Sequence, residues 1–550
     1  MQANAGRCLR RAVAHPGVPG PRNHEKGERA SRAPVVAPAS RPNSGSPVTG
    51  RRPEDDYRRD AGATCLRRDA AAGLFRAGAE LLHTVALGFL LLFRQDVAQD
   101  TSYLTESQMH LKKLAWLLVM IVVLGTGAES ALAQGAPASG AELKFVVIFS
   151  RHGVRSPTWT TEQLNEFSAE PWPDWGVPPG SLTPHGRNLM KLFGAYDRAY
   201  LAQAGLLGST GCADTGRVHI RANTLERTLE TARAMAEGML PGCGVEVQSL
   251  PLGKTDPLFN PIPAGVGKPD PALAAAALSG RIGGKPEALL DAYRPALETM
   301  QRLLLACKPG AQCPPQGSTV KQVLLKLPAA VEQGKGDRLV EMRGPLATAS
   351  TFAEVFLLQY TNGMAGKDLG WGRLTESNMR EMMLLHTAYE DLLRRTPGVG
   401  RPQASNLLSH ILKTIEQAIA GKPVPGALGK PGDRALILVG HDTNIANMAG
   451  MLGLSWLLPG YQRDDTPPGG ALVFELWHAP AAGDYTVRTY YMAQTLEQMR
   501  KALPVTLGAP PGKAAVFVPA CSTADEGWPC PWKAFQRALE SAIDPAFVRP

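Results

Sequence analysis

The sequence predicts an α/β domain interrupted by a helical insertion. Two observations carry this. Residues 143–150 (LKFVVIFS) and Ala435–Gly440 (ALILVG) are apolar without alternation. Such runs mark strands covered on both faces, as at the centre of an α/β sheet. Between about 265 and 425 the apolar residues recur at helical spacing instead, in 286–306 (PEALLDAYRPALETMQRLLLA), 351–364 (TFAEVFLLQYTNGM) and 378–396 (NMREMMLLHTAYEDLLRRT). The expected division is therefore a core of 134–264 and 426–550, with 265–425 as a helical cap beside the sheet. There is no internal repeat.

The chain upstream of 134 reads differently. Residues 1–75 are rich in Arg, Pro, Gly, Ala and Ser, and such a stretch cannot bury enough apolar surface to offset the entropy of ordering. Met109-His110-Leu111-Lys112-Lys113 then opens a positive start, 114–125 (LAWLLVMIVVLG) forms an apolar core, and Ala131-Leu132-Ala133 closes it with small residues. These are the three parts of a secretory signal peptide, cleaved after Ala133. A signal belongs at a chain start, so Met109 is the expected true start and 1–108 a disordered upstream extension. The expected mature protein, 134–550, lies in the periplasm or outside the cell.

Charge excludes two function classes. The 550 residues hold 58 Lys+Arg against 49 Asp+Glu, a net +9. Residues 1–108 account for +5 (16 against 11) and 109–133 for +1, leaving 134–550 with +3 (40 against 37). No basic surface patch is implied, and no nucleic-acid partner. The apolar stretch 81–93 is too short for a stable membrane anchor. Six cysteines remain after residue 133: Cys212, Cys243, Cys307, Cys313, Cys521 and Cys530. None forms a CxxC or has His at zinc-ligand spacing, so no metal and no cofactor are expected. An oxidising compartment suits them. All pairings stay open on sequence alone, nearest-neighbour pairing (212–243, 307–313, 521–530) being one of them.

Further elements follow the core runs. Val218–Ala222 is a short strand, and Asn223-Thr224-Leu225-Glu226 after it has the pattern of a capping box. Leu225, Leu229, Ala232 and Ala236 supply that helix's apolar face. Late strands are expected at 471–477 and 486–492.

The chemistry sits at strand ends. The first run passes into Ser150-Arg151-His152-Gly153-Val154-Arg155-Ser156-Pro157, and ligand sites of open α/β sheets lie beyond the carboxyl ends of strands. Two Arg beside a His favour a neutral imidazole awaiting an anion. Arg forks match phosphoryl oxygens, and Gly admits close backbone approach. The second run ends in Gly440-His441-Asp442-Thr443-Asn444, again a His at a strand end, beside a carboxylate. Arg227, one turn into the capped helix, adds a third guanidinium near an anion-favouring helix start. Alone, Arg227 would read as a solvated charge and His441-Asp442 as a surface pair. Their recurrence at the ends of buried strands makes the site.

RHGVRSP (151–157), GHDTN (440–444) and the segments LFNP, EVFLLQ, GWGR, RTP and PPGG resemble the bacterial branch of the histidine acid phosphatases, which includes periplasmic phytases and glucose-1-phosphatase. The resemblance runs from about 145 to 530. It implies a three-layer histidine-phosphatase-type α/β domain with an inserted helical cap. It also implies the 212–243 and 521–530 disulfides, with 307–313 as a small-loop bridge. Residue by residue, it makes His152 the nucleophile that forms a phosphohistidine, and Arg151, Arg155, Arg227 and His441 the phosphate clamp. Asp442 becomes the acid that protonates the departing alcohol. Thr158, Ser350, Glu354 and His386 resemble substrate-contacting positions, with Glu354 read as a rim carboxylate.

Two departures from the family pattern remove positive charge, Trp159 for a Lys and Gln403 for an Arg, and argue against strong phytate preference. His185 in LTPHG reads as a packing or surface histidine. The expected partner is a small phosphate monoester, and the oligomeric state is not legible. The competing readings are a phosphoglycerate-mutase-like transferase, opposed by the signal peptide and Asp442, and a binding protein that has lost catalysis, which would need neither nucleophile nor acid.

Overall fold

The structure, a computed structural model, describes residues 140–336 and 338–549. The upstream extension and the signal-like segment lie outside the described residues. The main sheet holds β1 (Glu142–Arg151), β2 (Val218–Ala222), β3 (Val247–Gln248), β6 (Ala435–Gly440), β7 (Ala471–Ala479), β8 (Asp484–Ala493), β9 (Gly512–Ala515) and β10 (Cys530–Pro531). Their order is β10-β8-β7-β1-β6-β2-β3, with β9 also on β8. β1, β6, β2 and β3 run parallel, while β7 and β8 continue the sheet antiparallel from β1. A hairpin of β4 (Ala330–Gln333) and β5 (Val340–Arg343) stands apart from it. The longer helices are α1 (Pro184–Gln203), α2 (Glu226–Met239), α3 (Pro271–Arg281), α4 (Arg294–Leu304), α5 (Pro345–Thr361), α6 (Glu376–Arg394), α7 (Pro397–Ala420), α8 (Asp442–Leu452) and α9 (Trp532–Ala542).

The central strands are buried on both faces, as their unbroken apolar runs require. Phe145, Val147 and Phe149 of β1 and Leu436 and Leu438 of β6 pack with residues of α7, α8 and α9. Val146 and Ile148, with Ile437 and Val439, pack on the opposite face with α1 and α2. The result is three layers. Two glycines let α1 approach the loop after β1. A Cβ on Gly186 would lie 2.1 Å from the Val154 carbonyl oxygen, and one on Gly153 2.8 Å from Met190 Cγ. These contacts let α1 close on the loop that follows β1.

A separate cluster forms the cap. Leu297, Met300, Phe352, Phe356, Met382 and Leu385 of α4, α5 and α6 pack with Phe167 and Trp172. Trp172 stacks on Phe352 with ring centroids 5.7 Å apart and planes at 12°. Two placements depart from the division at 264 and 425. Helix α7, assigned above to the insertion, gives Leu407, Leu408, Ile411 and Ile415 to the sheet's own core. Leu164, Phe167 and Trp172, assigned to the core, pack in the cap. Periodicity shows that a helix buries one face but not which layer receives it.

The disulfides are Cys212–Cys243, Cys307–Cys313 and Cys521–Cys530. Asp197 on α1 is 2% exposed, and its Oδ2 has no hydrogen-bond partner among the described residues. Burial pushes its carboxyl up to about 8. Its folded value thus lies above its unfolded value. Stability is favoured at low pH and is lost as pH rises from about 4 toward 8, because only the unfolded chain ionises freely there. Asp197→Asn is expected to raise Tm by about 3 °C at pH near 8 and to leave it unchanged near pH 4. Calorimetry at both values checks this, and an equal shift at both would refute it.

Candidate active site

Register assembles the site. β1 and β6 lie side by side with Arg151 opposite Gly440, so two strands 289 positions apart end level (440 against 151) and release His152 and His441 together. The His152 amide donates to the Gly440 carbonyl at 3.0 Å, and the two rings meet edge to face with centroids 5.5 Å apart. β2 ends beside them, where the Asn223 amide donates to the Val439 carbonyl at 3.0 Å.

His152 is held in one tautomer. Its Nδ1 lies 2.9 Å from the Gly153 carbonyl oxygen, which can only accept, so Nδ1 carries the proton and Nε2 keeps its lone pair. Burial first, then the charges of Arg227, Arg151 and Arg155, hold this imidazole far below its usual range. Burial and Arg227 likewise push His441 down to about 3. Asn223 orients it. The Asn223 Oδ1 accepts from the Thr224 amide at 2.6 Å, so its Nδ2 donates to Asn260 Oδ1 at 2.8 Å and to His441 Nε2 at 3.0 Å. Nδ1 of His441 then carries the ring proton.

The three arginines act on both rings. Arg151 donates to the Thr466 carbonyl at 2.5 Å, pairs with Asp442 Oδ2 at 2.9 Å and also pairs with Glu354. Arg155 reaches Glu354 Oε2 at 2.9 Å. Arg227 touches the Gly180 carbonyl at 3.4 Å. The Nε–H groups of Arg151, Arg155 and Arg227 are all buried and have no partner among the described residues. Unpartnered buried donors are costly unless an acceptor arrives. With two histidines neutral and Asp442 and Glu354 ionised, three arginines leave the cluster a net +1.

Both carboxylates are held charged. Burial alone would raise Asp442, but Arg151 and the neighbouring cations outweigh it and set it far below the carboxylate range. For Glu354, burial is likewise outweighed by Arg155 and Arg151. Glu354, largely buried, bridges the guanidiniums of Arg151 and Arg155. Ser350 and His386 pair with each other, Oγ to Nδ1, at 3.1 Å. Thr158 is exposed; it and Arg227 both lie near Gly180, where an added Cβ would be 3.6 Å from each. Trp159 packs on Phe167 and Phe352, with centroids 6.0 and 5.9 Å away, as part of the cap's aromatic cluster. Arg401 donates to the Ser541 and Ala542 carbonyls near the end of α9. His185 donates from Nε2 to the Met499 carbonyl at 2.7 Å and serves packing.

The expected capping box at Asn223 does not form. α2 begins at Glu226 with Leu225 at its N-cap, and Leu225 is exposed rather than buried. The Asn223 side chain turns to His441 instead, and Glu226 accepts from the Leu182 amide. Sequence reasoning missed Asn223 as a site residue. The signal was available: like His152 and His441, it is the first residue past a buried strand.

Comparison with known proteins decides the family. The sequence profile of the histidine phosphatase superfamily, branch 2, matches residues 142–301 and 329–492. The chain belongs to that family. This histidine phosphatase is 35% identical over 426 residues to phytase AppA of Escherichia coli K12, covering 76% of this chain and 95% of the relative. It is 28% identical over 431 residues to the glucose-1-phosphatase of Salmonella typhimurium, covering 78% and 98%. The solved Hafnia alvei phytase in complex with tartrate superposes with a TM-score of 0.67 at 33% identity, covering 75% of this chain and all of that one. The Citrobacter braakii phytase gives 0.67 at 35% identity, covering 74% and 100%. The α/β fold with its helical region is thus that of the family. As a histidine phosphatase the chain is an enzyme, a phosphoric monoester hydrolase.

Proposed function

We propose that this phosphatase works through a phosphohistidine on His152 Nε2, acting on small phosphate monoesters in the periplasm or outside the cell. The observation that carries the mechanism is the set of three buried, unpartnered arginine Nε–H donors around an imidazole fixed with its Nε2 free. An ester dianion supplies the acceptors those donors lack. Arg151, Arg155, Arg227 and His441 hold the phosphoryl oxygens, and the start of α8 adds a favourable dipole. Nε2 attacks phosphorus as the P–O bond to the alcohol breaks, and Asp442 gives its proton to the departing oxygen. Water then attacks the phosphohistidine, returning a proton to Asp442 and releasing phosphate. The arginines stabilise the charge on the transferring group in both steps.

Asp442 must first acquire that proton. In the empty site the arginine field holds it ionised. A bound dianion takes the +1 cluster to −1, which weakens that field and draws a proton onto the carboxylate. Turnover is therefore favoured at acid pH and falls as pH rises through the value Asp442 adopts with substrate bound.

Inositol and sugar phosphates are the proposed physiological class, consistent with the phytase and glucose-1-phosphatase relatives. Trp159 and Gln403 put no positive charge where additional phosphates would rest, so phytate is a modest substrate. A panel of phytate, glucose-1-phosphate and p-nitrophenyl phosphate ranks them. The three disulfides and the signal-like 109–133 support export, and N-terminal sequencing of exported protein is expected to begin at Gln134. The mechanism is tested by quenching enzyme and labelled substrate in alkali. An alkali-stable, acid-labile label on the peptide holding His152 is the expected result, and a label on any other residue, or none, removes the phosphohistidine.

A further inference from the structure

We propose that Glu390 is a specificity determinant that disfavours leaving groups carrying further phosphates. The proposal rests on the reading of His152 and Asp442 as a phosphoester site and adds a residue that neither the motifs nor the family pattern singled out. Glu390 lies on α6 one turn beyond His386, whose ring meets Ser350 of α5. Residues four apart on a helix share a face, so Glu390 follows His386 toward the site. Its side chain is 14% exposed, and its Oε2 is buried with no hydrogen-bond partner among the described residues. The nearest cation, Arg394 Nε on the same helix, stands 3.6 Å away and is itself unpartnered. That is beyond hydrogen-bond reach, so the carboxylate is only loosely neutralised.

The charges around it oppose an anion. Burial raises its carboxyl, and Asp442 of α8 and Glu354 of α5 raise it further, against the lowering effect of Arg394 and His386. Of the other charges near it, Arg281 of α3 pairs with Asp391 at 2.7 Å and Glu341 of β5 with Arg343 at 3.3 Å, while Arg338, exposed between β4 and β5, acts on the neighbouring Tyr389. Unlike Asp442 and Glu354, Glu390 has no guanidinium in hydrogen-bond contact. α6 packs against α5 and α8, the helices that carry Glu354 and Asp442, so an ionised Glu390 adds negative charge to the wall behind Asp442, and further phosphates on a leaving group would meet it. When protonated it presents a neutral donor instead, and the discrimination fades.

The test compares kcat/KM for phytate with that for p-nitrophenyl phosphate, as a ratio, in the wild type, Glu390→Gln and Glu390→Asp. A general loss of structure lowers both rates and cancels in the ratio. Near pH 6 the glutamine variant is expected to favour phytate about fivefold more than the wild type, and the aspartate variant to match the wild type within about twofold. Near pH 3, below the ordinary glutamate range, wild type and glutamine variant should converge. If the glutamine variant does not accumulate, Glu390→Ala removes the same charge. An unchanged ratio at both pH values, or a shift of equal size at both, overturns the proposal. Failure of the phosphoester reading would look different, since wild type would then form no phosphohistidine.

Discussion

His152→Ala is expected to lower kcat/KM for p-nitrophenyl phosphate by about 10⁴-fold or more, the scale of losing a covalent nucleophile. The Gly153 carbonyl fixes the ring, so on the proposed mechanism Nε2 is the attacking atom. Burial and three arginines favour the neutral imidazole, so on the proposed mechanism lowering the pH into the acid range should not convert the nucleophile to imidazolium. Wild-type activity should therefore persist well below the ordinary histidine range, and the variant should be inactive across the whole interval. Both are read from initial rates against pH. A variant that keeps a few per cent of wild-type activity would place the attacking atom elsewhere. A wild type that loses activity along a histidine titration near pH 6.5 would show that the arginines do not keep the ring neutral.

Asp442→Asn separates leaving groups. Alkoxides of sugars and glycerol are strong bases and leave poorly without a proton, whereas p-nitrophenolate leaves readily. General-acid assistance supplies about 10²–10⁴-fold. The variant should lose that much toward glycerol phosphate and under about tenfold toward p-nitrophenyl phosphate. A second effect works in its favour: Asp442 pairs with Arg151 at 2.9 Å in the empty site, and the neutral amide frees that guanidinium for the phosphoryl group. Phosphate affinity is therefore expected to hold or rise while kcat falls. Calorimetry with sulfate, which does not titrate here, adds an independent reading. Wild type should take up a proton on binding near pH 5, and the variant should not. Equal losses for both leaving groups would make Asp442 a positioning residue for His441 rather than the acid.

The sequence by itself determined the central strands and the chemistry at their ends. An unbroken apolar run such as 143–150 is stable only between two covering layers, and a His or Arg following it must emerge at the sheet's edge. That reasoning put His152, His441 and both flanking arginines at the ends of two buried strands that lie side by side, and paired motifs 289 positions apart pointed to the family. It also located Asp442, the residue next to His441. It did not reach Asn223, because the local capping pattern competed for the same side chain and tertiary contact with His441 won. It did not show that Glu354 pairs with Arg151 and Arg155, since nothing near residue 354 records that these arginines wait some 200 positions away. It assigned α7 to the cap for the same kind of reason. Amphipathic spacing encodes that a face is buried, while the surface that buries it is chosen by packing over the whole chain. Strand identity and motif chemistry are local properties of the residues. Register, ion pairing and layer membership are decided only when distant segments meet, and only the tertiary structure holds them.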